Sequence, residues 1–95
     1  MIIGTCILEI NLPGAHSLKD KRSIIKGITA RVHSKFNVSC AEIGLHDAWG
    51  STTLGLACIS TSAAHAEHML ERVAYWIEQT RPDLEIIEHR IEIIR

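Results

Sequence analysis

Positive charge is concentrated in one short stretch of this 95-residue chain, between Ser17 and Phe36. Although the whole chain has a net charge of −1, this stretch holds six of its ten lysines and arginines and only one acidic residue. Side chains of this type contact phosphate groups, most commonly those of a nucleic-acid backbone. The stretch is therefore the candidate functional site, and its basic residues are Lys19, Lys21, Arg22, Lys26, Arg31 and Lys35.

The cluster is densest where a helix is predicted to begin. Ser17 suits the N-cap position, and Asp20 three residues later gives a short-acid version of the capping box. Unpaired N–H groups and the helix dipole favour an anion at such a helix start. We predict an anion- or nucleic-acid-binding site formed by Ser17, Lys19, Lys21, Arg22 and Lys26.

Helical periodicity separates these basic residues. Lys19, Arg22 and Lys26 share one flank of the helix, whereas Lys21 falls within the apolar stripe near its start. Long basic side chains commonly lie over the edge of a core with their charges in water, so an ordinary solvated helix surface is the alternative explanation.

Two histidine-containing groups could do other chemistry. His46, Asp47 and Trp49 lie in a predicted loop, where they are possible additional contacts for a nucleic acid. His46 and Asp47 could alternatively act as a general base with its orienting carboxylate, or as a pair of metal ligands. His65 and His68 could share a metal, but no further ligand is suitably spaced. We therefore predict no metal site, no cofactor and no catalytic residue.

An acylphosphatase-like hydrolase, or another binder of a small phosphate ligand, is the enzymatic alternative. Such a protein would also hold a phosphoryl group at the start of a helix that follows the first strand. The loop from Pro13 to Ser17 lacks the run of glycines and the arginine that this cradle uses, because Arg22 comes a full turn later. A non-enzymatic binding module is the favoured interpretation.

The apolar pattern predicts the elements that must position these residues. Strands are expected at 2–12, 38–45, 52–60 and 84–94, with helices at 18–36 and 63–80 and Asn37 as a left-handed helix cap. The order βαββαβ predicts a single ferredoxin-like α+β domain over residues 1–95, with both helices on one face of a four-stranded antiparallel sheet. The three cysteines lie in apolar β-like runs and are expected to be buried thiols.

The sheet face away from the helices is predicted to be unusually apolar. None of the four aromatic residues lies in a predicted strand, so base stacking on this face is not expected. A second copy of the chain, packed through this face or a sheet edge, would cover it, and a protein-interaction adaptor using the face is a third functional class. The residues expected there are Ile3, Thr5, Ile7, Ala41 and Ile43, with some of Gly55, Ala57 and Ile59.

No apolar run is long enough for a membrane span or a secretion signal, so a cytoplasmic protein with no membrane partner is expected.

Several segments resemble the bacterial YlxP-like family, domain of unknown function 503: Leu18–Ser23, Phe36–Ser39, Ala41-Glu42, Leu45–Trp49, Thr53–Gly55 and Ala64–Glu67. The resemblance implies a small ferredoxin-like domain, often encoded beside translation-initiation and ribosome-maturation factors, without an established activity. It therefore implies RNA or the ribosome as a partner.

Overall fold

The computed structural model describes residues 1–95 and contains six elements in the order βαββαβ. The predicted fold class and order are confirmed, and no predicted boundary differs from the observed one by more than one residue. The strands are β1 (Ile2–Asn11), β2 (Ser39–Gly44), β3 (Ser51–Ser60) and β4 (Glu85–Ile94), and the helices are α1 (Leu18–Lys35) and α2 (Ala63–Thr80).

The four strands form one antiparallel sheet in the order β2-β3-β1-β4. The central pair, β1 and β3, is in register along its whole length, from Ile2 opposite Ser60 to Asn11 opposite Ser51. Both outer strands carry an irregularity, which in β4 leaves Ile87 without a partner in β1. In the order β2-β3-β1-β4, the two edges of the sheet are β2 and β4.

The core lies between the sheet and the two helices. Alternate residues of β1 point into it, and Cys6, Leu8 and Ile10 are at most 1% exposed. α2 packs closely over the start of β1, because a β-carbon on Gly4 would lie 3.0 Å from Leu70 Cδ1 and 3.1 Å from Ala66 Cβ. The main core residues of the helices are Ile25, Ile28, Val32, Ala66, Leu70, Val73 and Ile77.

The opposite face of the sheet has no element covering it. Ile59 is 69% exposed, and the β1–β3 and β1–β4 registers place it on the same side as Ile3 and Ile94. The side chain of Ile43 lies across Gly55, where an added β-carbon would come within 2.9 Å of Ile43 Cγ2. The predicted apolar residues therefore share the open face, but the β4 part of that face is charged, because the register places Glu88, Arg90 and Glu92 there.

α1 ends differently from the prediction. Phe36 has an extended backbone (φ −126°, ψ 147°), and its N–H donates to the carbonyl of Val32 at 2.8 Å. The only non-glycine residue with a positive φ is Leu45, at 59°, so the prediction of a left-handed cap at Asn37 is wrong. The chain bends at Phe36 and Asn37 and enters β2 two residues later. No helix in the structure combines the length and the hydropathy that crossing a membrane would require.

The fold brings two loops together at the start of α1. The N–H of Leu12, just after β1, donates to the carbonyl of Gly50 at 2.9 Å, just before β3. The β1–α1 loop (residues 12–17) and the β2–β3 loop (residues 45–50) therefore lie at the same end of the domain. The predicted basic site and the predicted Trp49 loop are neighbours.

Candidate functional site

The start of α1 is capped from within the chain. Ser17 has an extended backbone, and its Oγ accepts a hydrogen bond from the N–H of Asp20 at 3.0 Å. The Asp20 carboxylate in turn accepts from the N–H of His16 at 3.1 Å. The predicted capping arrangement is confirmed, with the return bond made to the residue before the cap. A carboxylate thus already lies at the positive end of the helix dipole.

Lys21 does not face solvent. Its side chain is 1% exposed, its ammonium pairs with Glu42 Oε2 at 2.9 Å, and it donates hydrogen bonds to the carbonyls of Leu45 and Ala48. The predicted role of Lys21 as an anion contact is wrong, because its charge is already satisfied by one carboxylate and two carbonyls. Its position in the apolar stripe of α1 directs it inward, and three acceptors offset the cost of burying the charge.

Glu42 completes this buried polar cluster. The hydroxyl of Thr52, itself fully buried, donates to Glu42 Oε2 at 2.6 Å. Partial burial disfavours the charged carboxylate, but the Thr52 hydrogen bond and the Lys21 ammonium outweigh it and hold the pKa of Glu42 below its ordinary value. The Glu42 carboxylate is therefore ionised at neutral pH.

The cluster fixes the conformation of the β2–β3 loop. Leu45 takes up a left-handed backbone that few non-glycine residues adopt, and its carbonyl is held by Lys21. The N–H of Ala48 donates back to the carbonyl of Leu45 at 3.1 Å. Trp49, the next residue, lies in this fixed loop, and its side chain is 50% exposed rather than packed in the core.

His46 and Asp47 are both exposed in the same loop. His46 Nε2 lies 3.3 Å from the carbonyl of Glu42 and has no hydrogen bond to Asp47. The carboxylate therefore does not orient the imidazole, as a general-base pair would require. The two residues remain possible loop contacts for a ligand.

Lys19, Arg22 and Lys26 are the members of the predicted site that reach solvent as free charges. All three are exposed, and none lies within 4.0 Å of a carboxylate oxygen. Their spacing of three and four residues puts them on one flank of α1. The structure thus reduces the predicted cluster to Ser17 as a cap, Lys21 as an internal cation and three unpaired cations on the surface.

The β1–α1 loop does not form a cradle for a phosphoryl group. Ala15 is buried and its N–H donates to the carbonyl of Leu12 at 3.1 Å, while the N–H of His16 is engaged by Asp20. The protein has three surface cavities, and Ser17 lines none of them. The surface around the helix start is open.

The remaining histidines and the cysteines do not add a chemical centre. His65 Nδ1 lies 3.0 Å from the hydroxyl of Ser60, whereas His68 lines a groove beside α2. No three histidine, cysteine, aspartate or glutamate side chains are arranged to hold a metal. Burial raises the pKa of the Cys6 and Cys40 thiols to about 11, so the prediction of buried thiols is confirmed.

Sequence reasoning missed the partners of Lys21 and the groove beside α2. The position of Lys21 in the apolar stripe was one signal, and the inward-facing Glu42, on the same face of β2 as Cys40, was a second. Only the tertiary structure shows that these two residues meet. The groove had a weaker signal, since His68, Arg72 and Gln79 share a face of α2 beside its apolar stripe.

The βαββαβ order, the antiparallel sheet and the two helices on one face define a ferredoxin-like α+β domain with a basic first helix. The chain belongs to the family described as protein of unknown function DUF503, whose model matches residues 3–91. It is 42% identical over 84 residues to the uncharacterized protein YlxP of Bacillus subtilis (strain 168), covering 88% of this chain and 90% of that protein. The family predicted from the sequence is therefore confirmed.

Two solved structures of designed proteins share the fold. The de novo designed protein Foldit4 matches with a TM-score of 0.56 at 14% identity, over 100% of this chain and 98% of that one. The de novo designed protein LFR1 1 with ferredoxin fold matches with a TM-score of 0.56 at 15% identity, over 99% and 84% of the two chains. At these identities the likeness concerns the fold alone.

Proposed function

We propose that this protein is a non-enzymatic RNA- or ribosome-associated module that contacts phosphate groups through one flank of α1. The observation that supports the proposal is that Lys19, Arg22 and Lys26 are exposed together without a carboxylate partner, in a chain whose net charge is −1. Unpaired cations on a rigid helix attract a polyanion and release its counterions on binding. Cytoplasmic location is part of the same proposal.

The surroundings of this flank favour an extended polyanion over a small phosphate ligand. The helix start holds the Asp20 carboxylate, and the nearby loop N–H groups have internal acceptors. A small phosphate would therefore find no enclosing cavity at Ser17 and would lie close to the Asp20 carboxylate. Lys21 fixes the neighbouring loop, so that the exposed Trp49 ring lies at the same end of the domain as the start of α1 and is available for contact with an RNA base.

Binding to single-stranded RNA across a salt series tests the proposal. The variant Lys19→Gln/Arg22→Gln/Lys26→Gln should bind much more weakly, and its log K against log salt slope should become less steep by about 2, since each lost contact with a single strand contributes about 0.7. The control Arg31→Gln/Arg90→Gln/Arg95→Gln removes the same charge from exposed positions elsewhere. Equal weakening in both variants would show only a net-charge effect.

Ribosome association is tested by sedimenting ribosomes from lysate with the tagged protein, with and without nuclease. We expect co-sedimentation that the α1 variant loses and the control variant keeps. Binding that does not depend on salt, or that both variants retain, would exclude the basic flank as the contact surface. Hydrolysis of an acyl phosphate by the purified protein would instead support the enzymatic alternative.

We also propose that a second copy of the chain covers the open face of the sheet. The face is apolar at one end, where Ile3, Ile59 and Ile94 are adjacent. It is charged toward the other end, where β4 contributes Glu92, Arg90 and Glu88 and β1 contributes Glu9. A two-fold axis near the isoleucines would bury the apolar ends against each other and keep the charged ends apart. The proposal rests on this division of the face.

Sedimentation velocity over a range of concentrations tests the dimer. Ile59→Asp should shift the protein to monomer, because a charge would be buried at the apolar end. Ile87→Asp is the matched control, since Ile87 is 60% exposed at the irregularity of β4, away from these isoleucines. A wild-type protein that stays monomeric at high concentration would contradict the dimer without affecting the RNA proposal.

A further inference from the structure

An open groove of about 500 Å³ runs between the end of α1 and the outer surface of α2. One wall of the groove is formed by Lys35 and Phe36. The other is formed by one face of α2, whose lining residues are His68, Glu71, Arg72, Tyr75, Trp76 and Gln79. This volume is within the range of small-molecule sites, about 300–1,000 Å³. The groove uses no residue of the basic flank proposed above.

Aromatic rings form the centre of the groove. The rings of Phe36 and Trp76 pack edge to face, with their centroids 5.9 Å apart and an angle of 75° between their planes. Phe36 is buried and Trp76 is half-buried, so the pair is fixed in place, whereas the adjacent Tyr75 is 64% exposed. The groove therefore offers a rigid aromatic floor and one accessible ring against which a planar group can stack.

Two cations from different helices meet at the same ring. Lys35 Nζ and Arg72 Cζ each lie 5.9 Å from the centroid of Phe36, and neither is within 4.0 Å of a carboxylate oxygen. Neither cation is neutralised by an ion pair, so an anion bound beside this ring would be attracted to both. The guanidinium of Arg72 is also suited to bidentate hydrogen bonding with a phosphate.

We propose that this groove binds a nucleotide, with its base against Tyr75 and Trp76 and its phosphate between Lys35 and Arg72. Glu71 is the only carboxylate that lines the groove, and it would repel an anion bound next to it. A ligand with a single anionic end therefore fits better than a polyanion that fills the whole length of the groove. The ligand could be a free mononucleotide or one nucleotide of a single-stranded RNA. Both sources present the same chemistry, a planar base joined to a phosphate.

Calorimetric titration with 5′-AMP, adenosine, inorganic phosphate and a short oligoadenylate tests the proposal. Arg72→Gln and Tyr75→Ala should each weaken nucleotide binding by about tenfold, through loss of a charged hydrogen bond and of stacking respectively. The matched controls are Arg31→Gln and Glu78→Gln, both exposed and outside the groove. The altered side chains are exposed, and Lys35→Gln provides an independent variant in which binding should also fall.

The outcomes are distinct. Binding of 5′-AMP that Arg72→Gln and Tyr75→Ala weaken supports the site and a free nucleotide as ligand, and much tighter binding of the oligoadenylate, equally sensitive to these variants, supports RNA as the source. No nucleotide binding, unchanged binding in the variants, or equal affinity for inorganic phosphate overturns the proposal. The variant Lys19→Gln/Arg22→Gln/Lys26→Gln should bind 5′-AMP as the wild type does, so this site and the proposed function can fail separately.

Discussion

The ammonium of Lys21 and the carboxylate of Glu42 lie 2.9 Å apart, with 1% of the lysine side chain and 18% of the glutamate side chain exposed. This pair joins the first helix to an edge strand and divides the basic residues of α1 into two kinds. Lys21 is used inside the protein to hold a loop, whereas the other five lysines and arginines of α1 are exposed, three of them on the proposed flank. The number of basic residues between Ser17 and Phe36 is therefore larger than the number of cations that the surface of α1 presents to a ligand.

Replacing Lys21 with methionine should destabilise the protein by about 3 kcal/mol, because Glu42 and two loop carbonyls lose their shared donor. The expected value is at the low end for a broken buried pair, since Glu42 is partly exposed. Urea denaturation followed by circular dichroism measures the change. Lys26→Met is the matched control on the exposed flank and should stay within about 0.5 kcal/mol of the wild type. Equal effects of the two substitutions would contradict the internal role of Lys21.

Acidification should remove the contribution of Glu42 to stability. Its pKa is lowered in the folded protein from an ordinary value of 4.5, so the unfolded chain binds more protons and stability falls as the pH drops below that value. We expect Glu42→Gln to be less stable than the wild type at about pH 7 and the difference to shrink at about pH 3.5. Free energies of unfolding measured at both pH values check this. A difference that does not change with pH would mean that the pair does not titrate as described.

Adding one methyl group at two glycines should have opposite effects. Gly4→Ala places a β-carbon 3.0 Å from Leu70 Cδ1 and 3.1 Å from Ala66 Cβ, so these tightly packed neighbours must move by a few tenths of an ångström, and a loss of about 1–3 kcal/mol is expected. Gly27→Ala, in an exposed turn of α1 with no atom within 4 Å, should stabilise the protein by about 0.5–1 kcal/mol. Thermal or chemical denaturation of the two variants measures the sign of each change in the free energy of unfolding. A neutral Gly4→Ala would show that α2 packs more loosely over β1.

The fold was predictable because local patterns and tertiary structure agree. Alternation of apolar residues in β1 matches the alternation of burial, and the helical stripes of α1 and α2 become the core faces. The one local error, a left-handed cap at Asn37, arose because the asparagine suits such a cap but the chain turns directly into β2. Local preference was overridden by the path of the chain.

The site was predictable only in part. Exposure of Lys19, Arg22 and Lys26 followed from their flank of the helix, but a lysine in an apolar stripe can either reach solvent or turn inward. The choice for Lys21 depends on Glu42 and on two carbonyls of a loop more than twenty residues away. No periodicity within α1 contains that information.

The link from Lys21 to the carbonyls of Leu45 and Ala48 also has a consequence for how the protein opens. β2 and β3 are close in sequence and can pair locally, but their loop gains its donor only when α1 docks. The first turns of α1 and the Trp49 loop should therefore detach and reattach as one cooperative unit. The amide hydrogens of Lys21 and Ala48, both held by hydrogen bonds in the folded state, would then show the same protection factor against exchange with solvent.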